Sequence, residues 1–319
     1  MKVLITGGAG FLGQRLARRL LSHGLPGGPI DELVLLDVVP ARIDDSRVRV
    51  AVGDIAAREV LEQAIDADTG AVFHLAAVVS GQAEAEFDLG MRINLDASRL
   101  LLEVCRSCGH RPRVVFTSSV AVYGGALPDI VRDDTALDPR SSYGAQKAIA
   151  ELLLADYTRR GFVDGRVLRL PTISVRPGRP NAAASSFASG IVREPLAGEQ
   201  AVCPVDPSTK LWLLSPSAAI EALVHGCALD AAALGGRPVV NLPGLSLSVA
   251  QMIDALREVA GEETASRIVY RRDARIEAIV GSWPARWDSS RAQALGFRGD
   301  RSFEDVIRHY LHDDAPLSR

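Results

Sequence analysis

Residues 2–24 read KVLITGGAGFLGQRLARRLLSHG. KVLIT is a short apolar run of strand type, and from Phe11 onward the apolar residues recur at helical spacing. Between them Gly8, Gly10 and Gly13 satisfy G-x-G-x-x-G, and Gly7, Gly10 and Gly13 satisfy the related G-x-x-G-x-x-G. Glycine suits such a turn because the chain must reverse tightly, bring bare backbone to a pyrophosphate and let the next helix pack on the sheet. The helix N-terminus then offers N–H groups and partial positive charge to the phosphates. A strand before, a helix after and an acidic residue, Asp37, closing the second strand together predict a dinucleotide site. Gly7, Gly10, Phe11, Leu12, Gly13 and Asp37 are its candidate contacts. A carboxylate at Asp37 accepts from ribose hydroxyls and repels a ribose phosphate, which favours NAD over NADP. Arg42 lies close enough in sequence to keep NADP open.

The same alternation continues outward. ELVLLDVV, RVRVAVGD, AVFHLAA, RVVFTSS and GRVLRLP are further apolar runs separated by helical segments, the signature of a parallel sheet covered on both faces. The expected fold is α/β, a doubly wound Rossmann domain with a smaller C-terminal substrate subdomain. Residues 1–175 with about 211–243 are assigned to the first, and about 176–210 with 244–319 to the second. One helix is expected from about Glu84 to Cys108 and another from near Ser142, with Ser141 or Ser142 as N-cap. Both are apolar on more than one face, so a homodimer packed through helices is expected.

The chain has 319 residues and a net charge of −3, with 36 basic and 39 acidic residues in no long runs. That pattern leaves no footprint for nucleic acid or an anionic membrane, so a small molecule is the expected partner. The opening strand leaves no place for a signal peptide, and no apolar run reaches the roughly 18 to 20 residues of a membrane span. A soluble, cytoplasmic protein is expected. Cys105, Cys108, Cys203 and Cys227 are too few for a disulfide framework. The Cys105/Cys108 pair lies in a helical pattern without a second pair, so reduced thiols and no metal are expected.

Arginine dominates the cations: there are only three lysines, Lys2, Lys147 and Lys210, among 36 Lys and Arg residues. One of them stands four residues after Tyr143, in SSYGAQK, on the same helix face. A free tyrosine ionises near 10, too high for a base at neutral pH. A neighbouring ammonium and an oxidised nicotinamide ring both favour the phenolate, and Lys147 can also hold the nicotinamide ribose.

With the glycine turn, HLAA at 74–77, FTSSVAVYG at 116–124 and YGAQK at 143–147, nearly the whole chain resembles the extended branch of the short-chain dehydrogenase/reductase superfamily. The resemblance implies a catalytic Ser/Tyr/Lys set, with Ser119 or its neighbour Ser118 as the serine beside Tyr143 and Lys147. It implies cofactor contacts from Asp54, Ile55, Leu75, Ala76, Ala77, Asn94, Pro171, Thr172 and Ile173, with Asn94 equally open to a structural role. His74, inside an apolar strand, reads as a packed residue and not a proton carrier.

Relatives in this branch include epimerases, dehydratases and simple dehydrogenases, so the fold leaves the reaction open. Dehydratases of the branch carry an acidic pair after the catalytic hydroxyl, whereas Val120 and Ala121 follow here. In STKLWLLSPS, Lys210 and Trp212 are followed by Ser215 and Ser217, an incomplete nucleotide clamp. RPGRPNAAASSFASGIVREPLAGE, KLWLLSP, VNLPGLSLSV and SWPARWDSSRAQALGF resemble a group within the branch that oxidises the C2 hydroxyl of a four-carbon sugar acid, D-erythronate. Ser80, Arg179, Asn181, Ser185, Ser186 and Lys210 are candidate partners for such a substrate, with Ser119 and Tyr143 at the reacting oxygen. The Ala/Ser/Gly-rich segment 176–196 follows a sheet strand, so it is read as the start of the substrate region, continuing as a helix, and not as a linker. A sugar-nucleotide epimerase and a non-catalytic NAD-sensing protein remain as alternatives.

Overall fold

The computed structural model describes residues 1–26, 28–178 and 182–314. Twelve strands follow in chain order: β1 (Lys2–Thr6), β2 (Glu32–Asp37), β3 (Val48–Val52), β4 (Thr69–His74), β5 (Arg113–Ser119), β6 (Asp164–Leu170), β7 (Thr172–Ile173), β8 (Ala201–Cys203), β9 (Lys210–Leu214), β10 (Val239–Asn241), β11 (Leu245–Ser248) and β12 (Ile268–Tyr270). Seven of them form one sheet in the order β10-β6-β5-β4-β1-β2-β3, every pairing parallel. The order reverses direction between β1 and β4, which opens a crevice at their carboxyl ends. Register sets Thr6 opposite Leu36 on one side and His74 on the other, so the three strand ends finish level.

Alternate residues of these strands feed two apolar layers. Val3, Ile5, Leu33, Leu35 and Phe73 pack with Leu16 and Leu20 of the helix Phe11–His23 and Leu223 of the helix Pro216–Ala228. Leu4, Val34, Leu36, Val72, Val114 and Phe116 pack on the other face with Leu101 and Cys105 of the helix Ala97–Ser107 and Leu154 of the helix Ser142–Arg159. Burying a side chain of this size contributes about 1.5–3 kcal/mol, so a strand with both faces covered is held far more firmly than a half-solvated one.

A third layer gathers Val175, Phe187, Ile191, Leu211, Leu213, Met252 and Ile307 around the small sheets β11-β9-β7 and β12-β8. β9 therefore lies in a small sheet, although its residues 211–214 were expected with the Rossmann strands. Its period-2 alternation explains the placement. Leu211 and Leu213 enter the small core, while Trp212 faces Trp287 with ring centres 5.5 Å apart.

The helix expected over 84–108 is broken into Ser80–Ala85, Phe87–Gly90, a wide π-type turn at Met91–Asp96, and Ala97–Ser107. The segment around Asn94 bends to let its side chain reach the loop after β4. Among the described residues no helix is long and apolar enough to cross a membrane.

Candidate active site

At the crevice the glycine turn is shaped by contact. A Cβ at Gly13 would stand 2.2 Å from the Gly7 carbonyl oxygen, and one at Gly7, whose φ is 71°, would stand 2.8 Å from the Ala76 nitrogen. Only glycine admits both approaches. Gly10, at the N-cap of the helix Phe11–His23, brings no side chain to occupy the helix's first N–H groups, which are left for phosphate oxygens.

A groove of about 360 Å³ runs from this turn past Asp37, Asp54, Ile55, Leu75, Ala76 and Ala77. The Asp37 carboxylate accepts from Ala9 N at 3.0 Å and Val38 N at 2.8 Å, which fixes it at the groove wall. Asp54 accepts from Ala56 N at 2.8 Å and pairs with Arg92 at 2.5 Å. Arg42 is exposed and stands outside this wall. A cradle that only glycine can form, with the Asp37 carboxylate fixed in the same groove wall, fits NAD.

The groove leads to a second cleft of about 210 Å³, lined by Leu12, Ser80, Ser119, Tyr143, Lys147, Pro171, Thr172, Ile173, Arg176 and Ser185 among others. Ser119 ends β5 and its hydroxyl accepts from Ala121 N at 3.1 Å, turning the chain out of the sheet. Ser141 caps the helix that follows, accepting from Gly144 N at 3.2 Å. Gly144 presses that helix onto the β5 turn so closely that a Cβ would lie 2.0 Å from the Ala121 carbonyl oxygen. This sets the Ser119 hydroxyl beside the Tyr143 phenol in the cleft wall. One helical turn on, buried Lys147 donates to the Thr117 carbonyl at 2.9 Å, its Nζ 4.5 Å from the Phe116 ring centre and 5.8 Å from that of Tyr143.

Burial pushes the Tyr143 phenol up to about 12, against which neighbouring Ser119 and the Arg176 charge both work. Burial likewise pulls the Lys147 ammonium down to about 7, with Glu151 acting the other way. The ammonium is turned to the Thr117 carbonyl and the Phe116 ring.

Other candidates separate by position. Ser118 is buried and donates to Glu151 of the helix Ser142–Arg159, while the Ser119 hydroxyl lies beside Tyr143. His74 is buried between Thr6 Oγ1 at 2.7 Å and Ser98 Oγ at 2.9 Å, and burial lowers its pKa to about 3. Asn94 was expected as a cofactor contact or in a structural role. Its amide bonds Val78 N, Val78 O and Gln146, which ties the loop after β4 to the helix Ser142–Arg159. Phe11 lies under Arg15, outside both lining sets.

Of the substrate candidates, Ser80 and Ser185 line the cleft; Ser80 also accepts from Ala184 N at 3.1 Å. Lys210 does not reach it: the side chain is exposed at the start of β9, where the strand leaves the core. Arg179 and Asn181 lie outside the described residues. Arg176, three positions before Arg179 in the same Arg-Pro context, was passed over in the sequence and is in the wall. Trp283 also lines it. Trp212 is buried, with its indole donating to the Leu242 carbonyl at 3.3 Å.

A nucleotide groove at a Rossmann switch point that opens onto a Ser/Tyr/Lys cleft defines a nicotinamide-dependent oxidoreductase of the extended short-chain type. Residues 3–212 match the NAD dependent epimerase/dehydratase family, and the chain belongs to it. The D-erythronate dehydrogenase of Cupriavidus necator is 69% identical over 100% of both chains, and that of Haemophilus influenzae 48% identical over 98% of this chain and 100% of its own. A solved structure described as a nucleoside-diphosphate-sugar epimerase from Agrobacterium tumefaciens superposes with a TM-score of 0.93 at 43% identity, covering 100% of this chain and 96% of that one. The chain is thus an NAD-dependent oxidoreductase of this family, with NAD as its cofactor.

Proposed function

We propose that the protein oxidises the C2 hydroxyl of D-erythronate, a four-carbon sugar acid, to 2-dehydro-D-erythronate. The observation that carries this reading is a small cleft whose wall brings Ser119, Tyr143 and Lys147 together beside half-buried Arg176. Its volume of about 210 Å³ falls below the roughly 300–1,000 Å³ typical of drug-sized ligands, which suits a four-carbon acid better than a sugar nucleotide. The burial of Trp212 against Trp287 removes it from stacking on a nucleotide base. The names of the Cupriavidus and Haemophilus relatives point the same way.

NAD, when bound, accepts the hydride that leaves C2. Gly7, Gly10, Gly13 and Asp37 would hold and orient it, with Lys147 in the cleft beside Tyr143. Tyr143 as phenolate takes the hydroxyl proton while the C2–O bond becomes a carbonyl. Ser119 donates to the reacting oxygen and steadies the charge that develops on it. Arg176 favours the phenolate that this step needs.

We also infer a cytoplasmic homodimer. The four free cysteines suit a reducing compartment. Exposed Ile149 and Leu152 lie three apart on the catalytic helix and give it a second apolar face, with exposed Phe87 on an adjoining segment.

Incubating the protein with NAD and a panel of four-carbon sugar acids, alongside UDP-sugars, tests the function by absorbance of NADH. Stoichiometric NADH with D-erythronate is expected. Epimerised UDP-sugar without net NADH, or NAD binding without any turnover, overturns it.

A further inference from the structure

The catalytic pair accounts for the hydroxyl of the substrate but leaves its other functional group, the carboxylate, without a partner. In a 2-hydroxy acid the carboxylate carbon is bonded directly to the reacting carbon. Any group that binds it must therefore sit beside Tyr143 and Ser119 in the same cleft. Among the described lining residues there are two cations, Lys147 and Arg176, and no carboxylate. Lys147 is already turned to the Thr117 carbonyl.

Arg176 is held by its backbone. Its N–H donates to Ser189 Oγ at 3.0 Å, and its carbonyl accepts from Arg193 Nη1 at 2.7 Å, so both contacts anchor it to the helix Phe187–Leu196. Ser189 and Arg193 are themselves buried. Burial and the nearby Arg193 charge both disfavour the Arg176 guanidinium, and Tyr143 is close enough to interact with it electrostatically. An anion arriving between Arg176 and Tyr143 meets the Arg176 guanidinium in the cleft wall. A planar fork of N–H donors matches a carboxylate with two parallel hydrogen bonds, a geometry an ammonium does not offer. Ser185 lines the same cleft and supplies a hydroxyl for the substrate's remaining oxygens.

We propose that Arg176 is the residue that binds the substrate carboxylate and so restricts this cleft to 2-hydroxy acids over the corresponding neutral polyols. The proposal rests on the sugar-acid reading above and adds the residue that enforces it.

The test uses the full-length protein loaded with NAD, as wild type, Arg176→Met and Arg176→Lys, with folding followed by circular dichroism. D-Erythronate is titrated calorimetrically into each protein, and turnover is read separately with D-erythronate and with erythritol, which has a hydroxymethyl group in place of the carboxylate. Arg176→Met is expected to weaken acid binding and raise KM by roughly 100-fold while leaving NAD affinity within about twofold, and to lose the preference for acid over polyol. Arg176→Lys, which keeps the charge but not the fork, is expected to recover part of that loss. Arg176→Met that binds the acid within about threefold of wild type overturns the assignment and leaves the proposed reaction standing. Wild type that binds the acid through Arg176 without forming NADH overturns the reaction and leaves the assignment. Wild type that neither binds nor oxidises it overturns both.

Discussion

Arg169 of β6 and Glu151 of the catalytic helix form a buried two-point ion pair, with Nε 3.0 and 3.1 Å from the two carboxylate oxygens and Nη2 2.6 Å from one of them. The pair lies one helical turn beyond Lys147, and Glu151 also receives the Ser118 hydroxyl next to Ser119. Strand and helix that carry the chemistry are thus joined beneath it. Removing one partner strands the other charge in the interior. Glu151→Ala is therefore expected to lower unfolding free energy by about 3–5 kcal/mol, and a Glu151→Leu/Arg169→Met double variant by clearly less. Urea titrations of the single and double variants check this; equal losses would show that the pair is not coupled.

His74 provides a pH signature of folding. Burial holds its native pKa near 3 against 6.5 when exposed, so between those values the unfolded chain binds a proton that the native protein does not. Stability is then lost as the pH falls from about 6.5 toward 3, by up to about 1.4 kcal/mol per pH unit from this residue. His74→Gln is expected to flatten that slope by about one proton in urea midpoints measured across the window. An unchanged slope would place the acid sensitivity elsewhere.

In the proposed reaction Tyr143 acts through its ionised form. The native phenol is pushed up to about 12 by burial, so the reactive fraction grows with pH. Oxidation, read as kcat/KM, is expected to climb from pH 7 to 9, and Tyr143→Phe to lose about 10³-fold with NAD affinity kept. A flat profile, or a Tyr143→Phe enzyme with full turnover, would contradict the role.

Leu152 is 68% exposed and Ile149 42% exposed on the outer face of the catalytic helix. Leu152→Glu places a charge in the inferred contact between copies. Sedimentation velocity is expected to show a dimer for the wild type and a monomer for the variant; a monomeric wild type removes the dimer.

Much of this frame was legible in the residues themselves. The glycine turn, the six apolar strands and Tyr143 with Lys147 each depend on local spacing, which a sequence displays directly. What spacing left open or missed fell where a long-range contact decides. Asn94 looks the same whether it faces a cofactor or bends its helix toward Val78. Arg176 carries no local mark of its place, and only the path of the chain after β7 brings it to the cleft. Lys210 carries the right charge on a strand whose end is solvated. The burial that raises Tyr143 and weakens Lys147 comes from three elements meeting, which no spacing rule reports.

The central claim is that hydride leaves C2 of a four-carbon sugar acid for NAD. D-Erythronate deuterated at C2 tests it most directly, with mass spectrometry of the reduced cofactor after one turnover. Deuterium in the cofactor, together with a slowed rate, is the predicted result. Unlabelled NADH from the deuterated acid would contradict it.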